Sequence, residues 1–404
     1  MLPFLLKNYS VCSDKFIVMK IITRNIWILS LVSMFTDVAS EMLYPIMPIY
    51  LKTIGFSIIL IGLLEGFAEA TAGLSKGYFG SLSDNKGKRL PFVQIGYALS
   101  AISKPMMALF TYPLWIFFSR TIDRIGKGVR TGARDALLSD EATPQTKGRV
   151  FGFHRSLDTL GAVLGPLAAL VYLAYYPNDY KTLFIIAFFP GVLAIAFTFF
   201  IKEKPKEQFK PKTKTRLFDF IKYWKESPAN YRKLVGALLV FTLFNSSDVF
   251  LLLKIKEAGF NDATVIGVYV FYNLIYALFS YPLGVIADKI GMKKIFISGL
   301  VLFAIVYIGM AYAESKVIFI VLFFLYGVYA AATEGIAKAW ITNLCKKENT
   351  ATAIGTYTAF QSIATMIASS LAGLLWFAFN PSATFLVSGI VAIGVSIYIS
   401  RFKN

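Results

Sequence analysis

Seven ionisable side chains fall between Arg120 and Asp135, in the stretch SRTIDRIGKGVRTGARDALLSD (119–140), of a chain that is 56% hydrophobic and only 16% charged. The apolar run MALFTYPLWIFF leads directly into them, so they continue one helix. At about 100° per residue, Arg120, Asp123, Arg124, Lys127, Arg130 and Arg134 occupy a stripe about 120° wide. A helix entering a membrane near Pro113 and rising ~1.5 Å per residue carries Arg120 about 10 Å deep and Arg124 near the middle. A guanidinium there costs roughly 2.5 to 3.5 kcal/mol or more unless it meets water or a carboxylate. The stripe can therefore face an interior cavity, and the chemistry open to it is charge pairing and proton exchange.

Carboxylates for that chemistry lie in the same half of the chain. Asp37 with Glu41, and Glu65 with Glu69, are i, i+4 pairs, so each pair shares one helix face near mid-depth. Asp158 and Asp248 add two more, and Glu334 with Lys338 is a further i, i+4 pair. A network whose pairs can exchange suits proton coupling, because protonating a carboxylate releases its basic partner; a static network that only fixes helix packing is the alternative. The sole histidine, His154, stands beside Arg155 and can be read as a proton relay or as an interfacial hydrogen-bonder. Tyr44, Phe67, Phe241, Phe244 and Trp340 could line a cavity, although a minority of them is expected to. No P-loop, nucleophile triad or metal-ligand cluster emerges, so neither an enzyme nor a bound cofactor is expected.

The elements that must position these groups are apolar helices. Mean hydropathy is +0.62, with 37 Phe and 22 Tyr in 404 residues, which is outside the soluble range. Twelve runs long enough to span a bilayer recur, at 26–52, 56–80, 91–111, 113–134, 149–174, 182–201, 234–256, 263–287, 292–313, 317–343, 350–377 and 382–400; lipid requires them to be helices. The net charge of +18 follows topology. With both termini cytoplasmic, the cytoplasmic segments hold 27 Lys and Arg against about five on the other side, which is the positive-inside pattern and not a nucleic-acid footprint. The expected organisation is a cytoplasmic N-terminal segment (1–25), a six-helix bundle (26–201), a basic linker (202–233), a second bundle (234–400) and a tail (401–404). Within the linker, RLFDFIKYW reads as a surface-lying amphipathic helix. Cys12 and Cys345 imply no disulfide framework. No cleavable signal is apparent, and Met19 serves as a start as well as Met1.

The two halves repeat each other. GSLSDNKGKR (80–89) matches GVIADKIGMKK (284–294), with Gly80, Asp84 and Gly87 each 204 residues before Gly284, Asp288 and Gly291. At an offset of 203, Gly132 pairs with Gly335 and Gly152 with Gly355. The loop Gly80, Asp84, Gly87, Lys88, Arg89, repeated as Gly284, Asp288, Gly291, Lys293, Lys294, resembles the signature loop of the major facilitator superfamily of secondary transporters. That resemblance covers the whole chain and implies an all-α integral membrane protein, with twelve transmembrane helices as two pseudo-symmetric six-helix bundles around a central cavity.

The resemblance also implies that the 80–89 loop latches the bundles on the cytoplasmic side. Physically, Asp84 can accept hydrogen bonds from the exposed amides of a neighbouring helix N-terminus. Arg120, Gly126 and Gly128 resemble the family's arginine-glycine pattern, which makes Arg120 the coupling arginine with Asp37 or Glu41 as partner. Gly152, Gly161, Gly165 and Pro166 look like the motif of exchangers in the family, and a packing seam is the plainer alternative.

The expected function is a proton-coupled transporter, exporting a small organic molecule by antiport. Asp37, Glu41, Glu65, Glu69, Asp123 and Asp158 would carry protons or substrate, with Arg120 and Arg124 as counter-ions. Proton-symport uptake of an anionic solute, such as a carboxylate or carboxylate-type metallophore, is the rival reading, with Arg120, Arg124 and Lys127 as anion ligands. A receptor or scaffold on a transporter-like body is a third. The expected partners are a small-molecule substrate, protons and the lipid of the cell membrane; no nucleic acid is expected, and the protein is expected to be a monomer.

Overall fold

Polar caps and prolines punctuate the apolar runs and set where each helix begins. The Thr23, Ser57, Asn261, Ser315 and Asn380 side chains each accept from a first-turn amide, and Pro113 and Pro381 occupy first-turn positions that need no amide donor. The computed structural model describes residues 21–203, 216, 218–245 and 248–402; Cys12 and both candidate starts lie outside them.

In the first half the helices are α1 (Arg24–Glu41), α2 (Met47–Thr53), α3 (Ile58–Lys86), α4 (Leu90–Leu109), α5 (Pro113–Asp140), α6 (Lys147–Tyr175) and α7 (Tyr180–Thr198). A short α8 (Asp219–Glu226) follows. The second half comprises α9 (Ala229–Phe244), α10 (Asp248–Glu257), α11 (Asp262–Ile290), α12 (Met292–Tyr312), α13 (Lys316–Asn343), α14 (Thr350–Ala378) and α15 (Pro381–Ser400). Among the described residues there is no strand. Eight helical segments are long and apolar enough to cross a membrane by length and composition. The other four runs read from the sequence are α1 with α2, α3, α4 and α5, which hold most of the interior charges and so score as less apolar.

Two spans read as continuous are interrupted. The first breaks at 42–46 between α1 and α2, where Pro45 supplies no amide for a helical bond. The seventh ends α9 at Phe244, with Asn245 turning extended, and resumes as α10 at Asp248. Glu41 closes α1 and Asp248 opens α10, so each half presents a carboxylate at a helix break. Discontinuous helices of this kind place polar ends beside interior sites.

The halves meet at two crossings related by the repeat. Helix α3 crosses α14 at Gly80 and Gly355, where a Cβ on Gly80 would stand 2.5 Å from the Ala351 carbonyl oxygen. Helix α6 crosses α11 at Gly152 and Gly284, where a Cβ on Gly152 would stand 2.5 Å from the Ser280 carbonyl oxygen. Only glycine permits this backbone contact. Both crossings lie toward the face that carries α8 and the linker. Helix α8 keeps Ile221, Lys222, Lys225 and Glu226 exposed and turns one face inward. Phe220 is buried, packs on Gly77 of α3 and takes a hydrogen bond on its carbonyl from Thr356 of α14, so the linker helix wedges into the seam between the halves.

Candidate functional site: a charged central cavity

Between the halves two contiguous cavities of about 480 and 420 Å³ share Glu41, Lys127, Asp248, Tyr269, Tyr329, Glu334 and Lys338 among their lining residues. Volumes of this size suit a small-molecule ligand. The α5 stripe turns inward as its periodicity requires. Arg120, Asp123, Arg130 and Arg134 are buried, Arg124 and Lys127 line the larger cavity and Lys127, Arg130 and Arg134 the smaller.

The cavity floor, toward the linker face, is an ionic network that joins the halves. Asp158 accepts from Ser33 Oγ at 2.5 Å and Arg155 Nη1 at 2.7 Å. Arg155 reaches Glu334 of the second half at 3.6 Å and donates to the Tyr276 hydroxyl. Arg134 bonds Ser33 at 2.9 Å and Asp135 at 2.8 Å, and Lys338 of the second half meets Asp135 at 2.8 Å. Asp135 and Lys338 are 203 residues apart, the offset of the repeat, so equivalent positions carry opposite charges and pair with each other. Glu334 and Lys338 therefore spend their charges across the halves.

Higher in the cavity the carboxylates have no such partners. Among the described residues, no Lys or Arg comes within ion-pair distance of Asp37, Glu41 or Asp248; Glu41 accepts from Tyr269 of the second half at 3.5 Å. The Lys127 ammonium makes no hydrogen bond or ion pair with any described residue, although its backbone carbonyl accepts from Thr131 at 2.6 Å. Glu69 stands 4.0 Å from Lys76, whose ammonium also reaches Ser362 of the second half at 3.1 Å.

Below the floor, Asp84 Oδ2 accepts from the Thr352 amide at 2.7 Å and the Thr352 hydroxyl at 3.0 Å, at the N-terminus of α14. Asp288, its repeat mate, accepts from the Gly148 and Arg149 amides at 2.7 and 3.0 Å, at the N-terminus of α6. Each aspartate thus crosses from one half to cap a helix of the other, where the dipole favours an anion. Arg89 is fully buried, bonds Asp84 at 2.9 Å and Lys347 O at 3.1 Å, and pairs with Asp140. Gly87 ends α3 at φ +64°; Gly291 sits between α11 and α12 at φ +104°.

The α6 glycines divide between two tasks. Gly152 makes the crossing to α11, whereas Gly161 and Gly165 press on α1: their Cβ atoms would meet the Met34 and Val38 carbonyl oxygens at 2.4 and 2.7 Å. These are the turns that carry Asp37 and Glu41. Pro166 lies inside the same helix one residue on.

Two of the sequence candidates lie apart from the cavity. Arg120 pairs with Asp123 on its own helix at 3.8 Å, and Asp123 with Lys104 of α4 at 2.8 Å; neither lines the cavity, where Lys127 and Arg124 share the lining with Glu41. Arg120 lies nearly two turns before Lys127, about 10 Å along the helix axis from it. The Glu65 side chain lies outside the described ones. Of the aromatic candidates, Tyr44 and Phe241 line the larger cavity, Phe67 packs on Phe117 and Trp340 on Phe296. His154 is buried, with neither ring nitrogen hydrogen-bonded among the described residues. Sequence reasoning missed Lys76, Lys104 and the Tyr269, Tyr272, Tyr326 and Tyr329 wall; Lys76, seven residues after Glu69 on one helix face, was the available signal.

A family model described as Major Facilitator Superfamily matches residues 29–272 and 234–403. An uncharacterized MFS-type transporter of Methanocaldococcus jannaschii is 33% identical over 92% of this chain and 93% of its own. The multidrug resistance protein MdtG of Yersinia enterocolitica is 22% identical over 93% and 92% of the two chains. Among solved structures, the human organic anion transporter MFSD10 superposes with TM-score 0.81 at 15% identity, covering 93% of this chain and 99% of its own. The Escherichia coli fucose:proton symporter FucP gives 0.73 at 11%, covering 94% and 98%.

Proposed function

The chain belongs to the Major Facilitator Superfamily, and we propose that it is a proton-coupled antiporter of the cell membrane, exporting a small organic molecule by alternating access. It is a multi-pass transporter and not an enzyme. In the proposal both termini face the cytoplasm, so the face closed by the Gly80–Gly355 and Gly152–Gly284 crossings is cytoplasmic and the cavity opens outward. The observation that carries the proposal is the cavity pair Asp37 and Glu41. They are carboxylates at mid-depth without a cation at ion-pair distance among the described residues, on a helix gripped by Gly161 and Gly165 of α6, which itself crosses to the other half. A proton gained or lost there alters the helix that holds the crossing. Asp84 and Asp288 gate by capping helices across the seam, Arg89 holds Asp84 and reaches the Lys347 carbonyl, and the Asp135–Lys338 and Arg155–Glu334 pairs close the floor.

The test is proton flux in proteoliposomes carrying a pH-sensitive dye. A transported lipophilic cation should drive counter-movement of protons that Asp37→Asn and Glu41→Gln abolish; solute movement without proton movement contradicts the coupling. Lys127, an ammonium in the cavity without a carboxylate within 4 Å among the described residues, favours a second reading, symport of an anionic solute. In that case solute and protons move the same way, and Lys127→Gln abolishes both.

A further inference from the structure

We infer that the ligand of this cavity is a zwitterion, with its ammonium held at Asp248 and its anionic group, a carboxylate by preference, at Lys127. The inference rests on the central cavity being the transport site. Asp248 begins α10 in the second half. Its two carboxylate oxygens accept from the Tyr272 and Tyr326 hydroxyls, the latter at 2.5 Å. An ionised carboxylate has about four acceptor positions, so two remain open. Around it the rings of Tyr269, Tyr272, Tyr326 and Tyr329 form a continuous wall, with successive centroids 5.4, 5.3 and 5.4 Å apart, and all four line the cavity. A carboxylate with open acceptor positions, beside a wall of aromatic rings, is chemistry suited to an organic ammonium. Among the described residues no Lys or Arg neutralises it.

Lys127 comes from the opposite half and is exposed to the same space. Its three donors lack a described acceptor, and a carboxylate supplies one. A purely cationic ligand would leave this ammonium without a close acceptor; a purely anionic one would leave the half-buried Asp248 without a counter-charge, unless that acid is protonated. A ligand bearing both charges satisfies both walls. It also ties α10 of one half to α5 of the other, so occupancy favours drawing the halves together above it. Asp37, Glu41 and Glu69, on the Lys127 side, remain for protons.

The experiment is isothermal titration of the purified full chain with three probes on one indole body: L-tryptophan, tryptamine and indole-3-propionate. Tryptophan should bind about tenfold tighter than either singly charged analogue, as an added charge-assisted contact provides. Asp248→Asn should erase its advantage over indole-3-propionate, and Lys127→Gln its advantage over tryptamine, each variant being monodisperse. Tyr326→Phe, which keeps the ring and the charge, should retain the preference. Either analogue binding within twofold of tryptophan, or none of the three binding, overturns the inference. Proton-coupled flux with tryptamine bound tightest would sink the zwitterion and leave the transport reading; tryptophan binding without proton movement would do the reverse.

Discussion

Asp84→Ala should release the linker face. In the closed structure its Oδ2 accepts two hydrogen bonds from Thr352 across the halves, at 2.7 and 3.0 Å, from a buried position. Charge-assisted bonds contribute about 1.5 to 3 kcal/mol each. Taking the low end, because water reaches both partners once the seam parts, removing them costs about 3 kcal/mol. That moves the closed-to-open ratio by roughly 150-fold, enough to carry a 99:1 population close to parity. Asp84→Asn keeps an acceptor and loses the charge, so a shift of about 1 kcal/mol, near fivefold, is expected. Spin labels at Lys86 and Lys289, both exposed and on opposite halves, report the separation by pulsed dipolar spectroscopy in a cysteine-free background. The predicted result is a long-distance population that grows from wild type through Asn to Ala. Identical distance distributions in the three folded proteins would refute the assignment of Asp84 to the seam.

Other consequences follow from the same contacts. Removing one partner of the Asp135–Lys338 pair strands a buried charge, worth about 3 to 5 kcal/mol, so Asp135→Lys and Lys338→Asp should each lower the thermal midpoint, while the double swap recovers most of the loss; equal loss in the swap denies the pairing. Gly161→Val should cut proton-coupled transport at least tenfold without loss of expression, because a side chain there meets the Met34 carbonyl and displaces Asp37; full activity would show that α1 and α6 need not touch. Burial pushes the Cys345 thiol up to about 11, so at pH 7.5 its thiolate is scarce and maleimide labelling of a Cys12→Ser protein should be slow. Labelling should rise as pH approaches 11, and rise at pH 7.5 when Asp84→Ala parts the seam; fast labelling of the closed wild type would contradict that burial.

The parts of this fold legible in the sequence were those governed by period and repeat. The Arg120–Arg134 stripe could be placed on one helix face because lipid penalises a charge on any other, and the repeat offsets of Gly80 with Gly284 and of Gly152 with Gly355 marked as repeat mates the glycines that the structure brings into contact across the halves. What could not be read was partner choice across space. Arg120 lies 3.8 Å from Asp123 of its own helix, and Lys104, isolated in α4, gives no pattern that points to α5. Asp135 and Lys338 sat at matched repeat positions, yet nothing in either helix alone says that a two-fold arrangement brings such positions face to face. The Tyr wall escaped because tyrosine at helical spacing in an apolar chain reads equally as packing, and the break before Asp248 was hidden in a run apolar enough to count as one span.

The central claim is that protonation of Asp37 and Glu41 sets which side the cavity opens to. The most direct measurement is the Lys86–Lys289 label distance as a function of pH, in wild type and in Asp37→Asn/Glu41→Gln. The account predicts that wild type converts between short and long distances as pH changes and that the neutral variant holds one distribution throughout. The same pH-dependent conversion in both proteins would contradict it.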